Sequence, residues 1–446
     1  MLRQIYRALW WLIAPIAVLR LLWRSRRERS YARHIGERFG FGYASDLPES
    51  DAPVLWVHAV SVGETRAAQP LIEALLAAYP EARVLITHMT PAGRAMGETL
   101  LGARVLRCYL PYDMPFAVRR FLARYRPVLG VVMETEVWPT LIDECRRAGV
   151  PLALVNARMS GRSYQRAAKF GPAAHKIFGG LARVFAQSEA DAQRLSALGA
   201  RQVTVLGNLK FDMAAPAALV ARGQAWRLGF GARPVWVAAS TRAGEEALVL
   251  DAFKRSGLAH QAVLILVPRH PQRFNEVAAL LAREGWRFAR RSALHAPISA
   301  VAADGFSKPA TDYAQQPLFE PKMQVWLGDS MGELGAYYAA AEVAFIGGSL
   351  LPFGGQNLIE ACAAGAPVLI GEYTFNFEQA SADAIAAGAA LRVADSAALG
   401  AALRTLLTDR SQRTTMSAAA LAFAALHRGA TKRTVEALRL LLKDLN

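Results

Sequence analysis

A carboxylate directly follows a buried-strand pattern near the start of the chain. The segment VHAVSVGETRAAQP, residues 57–70, runs from an apolar stretch through Gly63 and Glu64 into helix-like sequence. Glu64 is therefore expected at the carboxyl end of a strand and the start of a helix, where the helix dipole favours the ionised carboxylate. We predict that Glu64 is a general base that takes a proton from an attacking hydroxyl group. The alternative is that it only caps the helix.

A glycine-rich segment in the second half indicates an anion site. It reads GGSLLPFGGQNLIEACAAGAPVLIG and covers residues 347–371. Glycine lets a ligand approach the backbone closely, and a helix beginning near Asn357 would offer unpaired N–H groups to a phosphate. Glu360, near that helix start, is predicted to accept hydrogen bonds from ribose hydroxyls. A purely structural strand-to-helix turn is the alternative.

Alternating strands and helices must position these residues. From about residue 50, apolar runs such as APVLWVHAV and VPLALVNAR alternate with helical periods such as TRAAQPLIEALLAAYP. Strands this apolar indicate a parallel sheet covered on both faces, with ligands at the carboxyl ends of the strands. The pattern blurs at residues 212–232 and then restarts, which predicts an α/β protein of two Rossmann-like domains facing one cleft. We place these domains at residues 41–220 and 221–446, the second including the C-terminal helices.

Residues 1–40 form a separate N-terminal segment with an apolar run and a basic flank. They contain nine arginines and two glutamates, a net +7 of the chain's +16. The run ALWWLIAPIAVLRLLW, residues 8–23, is shorter than the roughly 20 residues that span a bilayer, which favours a short anchor or an interfacial helix. The arginines that follow favour a cytoplasmic location for the rest of the chain. A buried core helix is the alternative.

Several function classes lose support from the motifs. The strand-to-helix loops contain neither G-x-x-x-x-G-K-[ST] nor G-x-G-x-x-G after the first strand, which argues against a nucleoside triphosphatase and a dehydrogenase. Cys108, Cys145 and Cys362 are far apart and without a nearby histidine pair, so neither a disulfide framework nor a zinc site is expected. Because the basic excess is concentrated beside an apolar run, we predict a membrane surface rather than a nucleic acid as partner.

Seven motifs occur in order and together resemble the Kdo transferase family of lipopolysaccharide synthesis, where Kdo is 3-deoxy-D-manno-octulosonic acid. They are HAVSVGE, METEVWP, NARMSGRSY, GNLKFD, PRHPQRF, MGEL and GGSLLPFGGQNLIE. The resemblance implies a glycosyltransferase of the GT-B type with an N-terminal membrane anchor helix. It implies inverting transfer of Kdo from CMP-Kdo to lipid IVA, on the cytoplasmic face of the inner membrane. No cofactor and no metal are implied.

The resemblance also implies roles for individual residues. Members use the glutamate of the SVGE loop, here Glu64, as the general base. Contacts to CMP fall on three motifs and comprise Pro268, Arg269, Met331, Gly332, Glu333, Asn357, Leu358, Ile359 and Glu360. Many members have His-Asn-Pro-Leu-Glu where this chain reads QNLIE.

The donor's chemistry points to further candidates. Arg269 and the dipole of the helix near Asn357 would stabilise departing CMP, which carries a single phosphate. The Kdo carboxylate calls for cations, and a bidentate arginine suits a carboxylate best. The loop candidates are Arg66, Arg158, Lys210 and Arg242. For each of them a solvated surface charge is the alternative. Glu136 in METEVWP is predicted to orient the acceptor, with a helix cap as the alternative.

Two other function classes remain open at this point. A nucleotide-sugar epimerase of the same GT-B-like fold would explain the two domains but not the N-terminal apolar segment. A basic nucleic-acid-binding protein would explain the net charge, but the arginines lack interleaved aromatic residues.

Overall fold

A computed structural model describes residues 2–26, 28–43, 52–213, 215–293 and 319–442. Arg27 and the side chains of Arg3 and Arg7, which belong to the predicted basic flank, lie outside the described residues. The chain divides into two compact units. The first comprises Met1–Met213 and His427–Asn446, and the second comprises Ala214–Leu426.

The first unit contains a parallel sheet of seven strands among its described residues. The strands are β1 Val54–His58, β2 Arg83–His88, β3 Leu106–Tyr109, β4 Pro127–Met133, β5 Leu152–Ala157, β6 Arg183–Ala186 and β7 Val203–Val205. Their order across the sheet is β3-β2-β1-β4-β5-β6-β7. The order reverses between β1 and β4, so the loops after these two strands flank the crevice where doubly wound sheets bind ligands.

Helices connect and cover these strands. They are α1 Leu2–Ser25, α2 Val62–Ala78, α3 Pro91–Leu101, α4 Pro115–Tyr125, α5 Pro139–Arg147, α6 Gly161–Ala168, α7 Pro172–Phe178 and α8 Glu189–Ala197. The sequence specifies several of their starts. Ser61, Thr90 and Ser188 each accept a hydrogen bond from a backbone N–H in the first turn of the helix that follows.

The second unit repeats this design with a different strand order. Its strands are β8 Val235–Thr241, β9 Val263–Pro268, β10 Phe288–Arg290, β11 Val325–Leu327, β12 Val343–Ile346, β13 Val368–Ile370 and β14 Ala390–Arg392. They pair in parallel in the order β10-β11-β9-β8-β12-β13-β14. The order reverses between β8 and β12, which places the loop after β8 beside the glycine-rich loop after β12.

The helices of the second unit follow the same alternation. They are α9 Ala217–Gly229, α10 Glu245–Ser256, α11 Phe274–Arg283, α12 Leu334–Ala340, α13 Ile359–Ala363, α14 Glu378–Ala386, α15 Ser396–Thr408 and α16 Arg410–Leu426.

The last helix, α17 Ala430–Arg439, belongs to the first unit. Both oxygens of the Asp212 carboxylate accept hydrogen bonds from its start, at 2.6 Å from Gly429 N and 2.5 Å from Thr431 N. Leu438 is fully buried in the core on the α2 side of the first sheet. The predicted domain of residues 221–446 is therefore wrong at its C-terminal end, because an amphipathic pattern does not say which core its apolar face joins.

Helix α1 lies against the first unit along one face and is exposed along the other. Ala14 and Leu21 are buried, whereas Arg20, Arg24 and many large apolar side chains of this helix are exposed. The exposed large apolar residues are Leu9, Trp11, Leu12, Ile13, Ile16, Leu19, Leu22 and Trp23. Residues Ala8–Ser25 are long and apolar enough to cross a membrane by length and composition alone, with mean hydropathy 1.3 and 11% of the segment buried. This exposure excludes a buried core helix.

Candidate active site

Glu64 lies three residues after the N-cap of α2, in the first turn of the helix that follows β1. Its Oε2 accepts a hydrogen bond from Val60 N at 2.9 Å, and its Oε1 accepts one from Ser61 Oγ at 3.1 Å. Ser61 Oγ accepts in turn from Glu64 N at 3.4 Å. This is a reciprocal capping arrangement. Capping, which the sequence offered as the alternative to a base, is thus present, yet the side chain stays half-buried rather than enclosed.

The surroundings of Glu64 raise its pKa to about 7. Burial is the largest cause, the hydrogen bond from Val60 opposes it, and the negative charges of Glu134 and Glu136 raise the pKa further. Burial therefore opposes the helix dipole, which was expected to favour the ionised carboxylate. A carboxylate that titrates near neutral pH is well matched to general-base catalysis.

Glu134 follows β4, the strand beside β1. Its φ of 55° lies in the left-handed region, which is strained for a residue other than glycine and is typical of functional loops. Its carboxylate Oε1 lies 2.8 Å from Lys210 Nζ. Lys210, which the sequence nominated for the substrate carboxylate, therefore already has an internal partner. A ligand would have to compete with Glu134 for it.

Glu136 is held by an indole and does not cap a helix. Trp138 Nε1 donates a hydrogen bond to Glu136 Oε2 at 2.7 Å. Burial raises the pKa of Glu136, the bond from Trp138 opposes this, and Glu134 adds to it. The first N–H groups of α5 are instead bound by Asp113, whose carboxylate accepts from Thr140 N at 2.9 Å and Leu141 N at 2.7 Å. The cap alternative for Glu136 is therefore wrong.

The two other predicted cations of this unit, Arg158 and Arg66, follow strands β5 and β1. Arg158 N donates to the carbonyl oxygen of Glu134 at 3.2 Å, so Arg158 begins its loop directly beside β4. Arg66 is on the first turns of α2 and is half-buried. Sequence reasoning missed Asn156, at the end of β5, which has φ 54° and accepts a hydrogen bond from Leu209 N through Oδ1. Asn156 thereby holds the turn that carries Lys210.

In the second unit, the buried carboxylate of Glu245 joins the two loops at the reversal of strand order. It accepts hydrogen bonds from Arg242 N at 2.9 Å, Gly348 N at 2.5 Å and Leu350 N at 3.0 Å. Glu245 is fully buried. Sequence analysis did not nominate it, although an acidic residue in the first turn of a helix was the available signal. Its role is to set the shape of the glycine-rich loop.

Arg242, Arg269 and His270 form a cationic group after β8 and β9. Arg242 Nη1 donates to His270 Nε2 at 2.9 Å, and its guanidinium lies 4.9 Å from the centre of the Phe353 ring. Burial and the nearby Arg242, Arg269 and Arg273 lower the pKa of His270, which favours the neutral imidazole that accepts a hydrogen bond from Arg242. Arg269 is exposed, and Pro268 ends β9. Two of the predicted cations are thus brought together.

The Ser-Met-Gly-Glu loop leaves only its backbone and Met331 for a ligand. Glu333 Oε1 pairs with Arg222 at 2.6 Å and Arg291 at 3.0 Å, while Ser330 Oγ donates to Oε2 at 2.6 Å. Burial alone would raise the pKa of Glu333, but Ser330 and the arginines outweigh it and lower the pKa. Met331 is exposed, and Gly332 has φ 81°.

The glycine-rich loop differs from its prediction at one point. The helix begins at Ile359 rather than near Asn357, and α13 is only five residues long, so its dipole is small. Asn357 Oδ1 accepts from Ile359 N at 3.0 Å, and Asn357 Nδ2 donates to Glu360 Oε1 at 3.0 Å. The side chains of Leu358 and Ile359 are buried. Glu360 is half-buried, as are Gln356 and Asn357, so its carboxylate is partly accessible.

No group of three or more His, Cys, Asp or Glu side chains that could hold a metal ion occurs in the part of the chain that the structure describes.

Comparison with known proteins establishes the family. Residues 33–213 match the family model described as 3-deoxy-D-manno-octulosonic-acid transferase (kdotransferase). A 3-deoxy-D-manno-octulosonic acid transferase of Bordetella pertussis is 48% identical over 95% of this chain and 96% of its own length. The chain belongs to the Kdo transferase family. A Haemophilus influenzae relative with the same name is 34% identical over 98% of each chain.

Solved structures confirm the fold of this Kdo transferase. A UDP-GlcNAc 2-epimerase from Neisseria meningitidis has a TM-score of 0.59 at 15% identity, covering 86% of this chain and 99% of its own. A glycosyltransferase from Rickettsia africae has a TM-score of 0.56 at 14% identity, and the match covers 88% of this chain and 100% of the Rickettsia chain. At these identities the likeness shows the fold alone. The predictions of a GT-B type fold and of a glycosyltransferase that acts in Kdo transfer are confirmed, and the epimerase resemblance does not extend beyond the fold.

Proposed function

We propose that this Kdo transferase moves Kdo from CMP-Kdo to lipid IVA, with Glu64 as the general base. The observation that carries the proposal is a half-buried carboxylate with a pKa raised to about 7, at the carboxyl end of the strand where the first sheet reverses its order. A hydroxyl of the acceptor attacks the anomeric carbon of Kdo as the bond from that carbon to the phosphate oxygen of CMP breaks. Glu64 takes the hydroxyl proton, and direct displacement inverts the anomeric centre.

The second unit supplies groups that suit the donor. Arg242 and Arg269 offer positive charge to the phosphate or to the Kdo carboxylate, and neutral His270 orients Arg242. Glu360 accepts hydrogen bonds from the ribose hydroxyls, with Asn357 holding one of its oxygens at 3.0 Å. Gly348, Gly354 and Gly355 all have positive φ, which permits the loop to pass close to a nucleotide.

Helix α1 supports the proposed lipid acceptor and the proposed location. Its exposed apolar face and the arginines around residues 20–33 suit a helix that lies at the surface of an anionic membrane. We place the enzyme on the cytoplasmic face of the inner membrane, because the basic flank favours that side.

The mass of the product tests the proposed function. Incubation of the full chain with CMP-Kdo and lipid IVA in detergent should give lipid IVA heavier by Kdo, together with CMP. Glu64→Gln should lower turnover by about 10²-fold to 10⁴-fold, the range typical of general-base loss, and leave CMP affinity nearly unchanged. Retention of most turnover by a folded Glu64→Gln variant would reject Glu64 as the base. Release of free sugar without a lipid product would reject the acceptor.

A further inference from the structure

We propose that α1 positions the acceptor-orienting Glu136 as well as contacting the membrane, through a chain of contacts from Trp10 to Trp138 to Glu136. The inference rests on the proposed function for the role of Glu136 and on the geometry of the first unit for the chain itself. Trp10 and Trp138 act through Glu136 and are positioning residues.

The first step is the contact between α1 and the aromatic residues beside the site. The ring of Trp10 stacks on that of Tyr112, with centroids 5.6 Å apart and planes at 25°. The ring of Trp10 also contacts that of Trp138, with centroids 6.5 Å apart and planes at 40°. Aromatic pairs at these separations are stabilising beyond the area they bury. Trp10 therefore forms one wall of the position that Trp138 occupies.

The second step links Trp138 to the site. Its indole N–H donates to Glu136 Oε2 at 2.7 Å, within the same loop after β4. A rotation of the indole would move or release that carboxylate. Since Trp138 immediately precedes α5, its backbone is held by the helix start, and its ring orientation depends on the neighbours that pack against it.

A second set of contacts connects α1 to the start of α5. Asp113, which is 2% exposed, accepts a hydrogen bond from the Tyr6 hydroxyl of α1 at 2.8 Å through Oδ2. The same carboxylate binds Thr140 N and Leu141 N at the start of α5. One buried carboxylate thus joins α1 to the helix that follows the METEVWP loop. Loss of α1 would remove partners of both Asp113 and Trp138.

The packing of α1 against the first unit also determines how this helix is oriented relative to a membrane. Tyr6, Trp10, Ala14 and Leu21 share the face that packs on the first unit, so about 22 Å of the helix lies along folded protein. A helix in this position is not surrounded by lipid. It lies in the membrane surface, with side chains such as Leu12, Ile16 and Leu19 directed to the acyl chains. The Glu136 loop is then held beside the surface where a lipid acceptor resides.

Two tryptophan substitutions on the same helix separate anchoring from positioning. Trp10→Ala and Trp23→Ala each remove one indole, but Trp23 is exposed whereas Trp10 packs beside Trp138. Trp23→Ala should weaken binding to vesicles of phosphatidylcholine and phosphatidylglycerol more than Trp10→Ala, because Trp10 faces the folded protein. In detergent micelles, Trp10→Ala should lower kcat/KM for lipid IVA by about 10-fold to 100-fold, as expected for a misplaced group. It should leave CMP affinity unchanged, whereas Trp23→Ala should stay within about twofold of the unsubstituted protein.

Further variants and a direct structural readout make the test independent of folding and of turnover. Trp10→Phe keeps an aromatic ring and should recover most of the loss, while Trp138→Phe keeps an aromatic ring but lacks the indole N–H and should reproduce the loss. In protein labelled with ¹⁵N-tryptophan, the Trp138 indole signal, assigned by its absence in Trp138→Phe, should exchange with solvent faster in Trp10→Ala and normally in Trp23→Ala.

Equal micellar kinetics of the Trp10 and Trp23 variants, with unchanged exchange at Trp138, would overturn the proposal. If the unsubstituted protein gave no product with CMP-Kdo and lipid IVA, the proposed function would fail, and the exchange measurement alone would decide whether α1 holds Trp138.

Discussion

Lys210 Nζ lies 2.8 Å from Glu134 Oε1, so a cation that the sequence nominated for the substrate is paired with a carboxylate of the protein. The charge of Glu134 raises the pKa of Glu64. The pair therefore links Lys210 to the candidate base, because Lys210 offsets part of the negative charge that Glu64 experiences. The electrostatics of this edge of the sheet are set by three carboxylates and a lysine rather than by Glu64 alone.

Substitution of Lys210 and substitution of Glu134 should shift the pH dependence of turnover in opposite directions. Glu64 must be ionised to act as a base, so turnover should rise with pH around its pKa of about 7. Lys210→Met leaves Glu134 uncompensated and should move this rise to higher pH. Glu134→Gln removes the negative charge and should move it to lower pH. The profile of kcat against pH is the measurement, with exposed Lys176→Met as the control. Shifts in the same direction for both variants would contradict the linkage.

Glu64→Gln should make the protein more stable at pH 8 than the unsubstituted chain. The pKa of Glu64 is raised in the folded state, so the protonated form is favoured there. Ionisation of Glu64 therefore lowers the free energy of unfolding. This loss is absent below the unfolded pKa near 4.5, grows as the pH rises toward 7, and is complete above pH 7. Its size is of order 1 to 3 kcal/mol. Urea unfolding at pH 5 and pH 8 measures it. A variant that is less stable at pH 8 would show that capping is the larger contribution of Glu64.

Loss of the Glu245 carboxylate should loosen the glycine-rich loop. Glu245→Ala removes the acceptor of three backbone N–H groups, which should lower the free energy of unfolding by about 2 to 4 kcal/mol. CMP binding should weaken as well, because Gly348 and Leu350 lose their common partner. Urea unfolding and calorimetry with CMP are the measurements. Glu276→Ala, at an exposed site on α11, is the control and should change neither quantity appreciably.

Glu360→Ala should weaken CMP binding by about 1.5 to 3 kcal/mol, the contribution of a charged hydrogen bond. The fold should be retained, because Glu360 is half-buried and its side chain bonds to Asn357 within the same loop. Calorimetry with CMP is the measurement, and exposed Glu372→Ala in the same unit is the control. Unchanged CMP affinity in the folded Glu360 variant would remove this residue from the donor site.

The membership of α17 in the first unit can be tested with two leucines at its end. Leu438 is fully buried and Leu440 is 47% exposed. Leu438→Ala should cost about 2 to 5 kcal/mol, as for other buried leucines, and Leu440→Ala much less. Amide hydrogen exchange should rise in α2 for Leu438→Ala and stay unchanged in α15, since α17 packs against α2. Faster exchange confined to the second unit would contradict the assignment.

Local patterns were sufficient for the order of elements and for the loops that carry the candidate residues. Apolar runs separated by helical periods predicted parallel strands, and these form two seven-stranded sheets among the described residues. Glu136, Arg242 and Arg269 lie in strand-to-helix loops, and Glu64 lies in the first turn of the helix that follows β1, as expected. The order of the seven motifs was sufficient for the family. These properties depend on neighbouring residues along the chain, which a sequence displays directly.

The tertiary structure decided which side chains meet. That Lys210 pairs with Glu134, that Asp113 rather than Glu136 caps α5, and that burial raises the pKa of Glu64 depend on contacts between segments far apart in the chain. The same holds for α17, whose apolar face suits either core, and for α1, which has large apolar side chains on its buried and its exposed face. Periodicity identifies an apolar face but not its partner, and a carboxylate's pKa is set by the charges and solvent that packing brings to it.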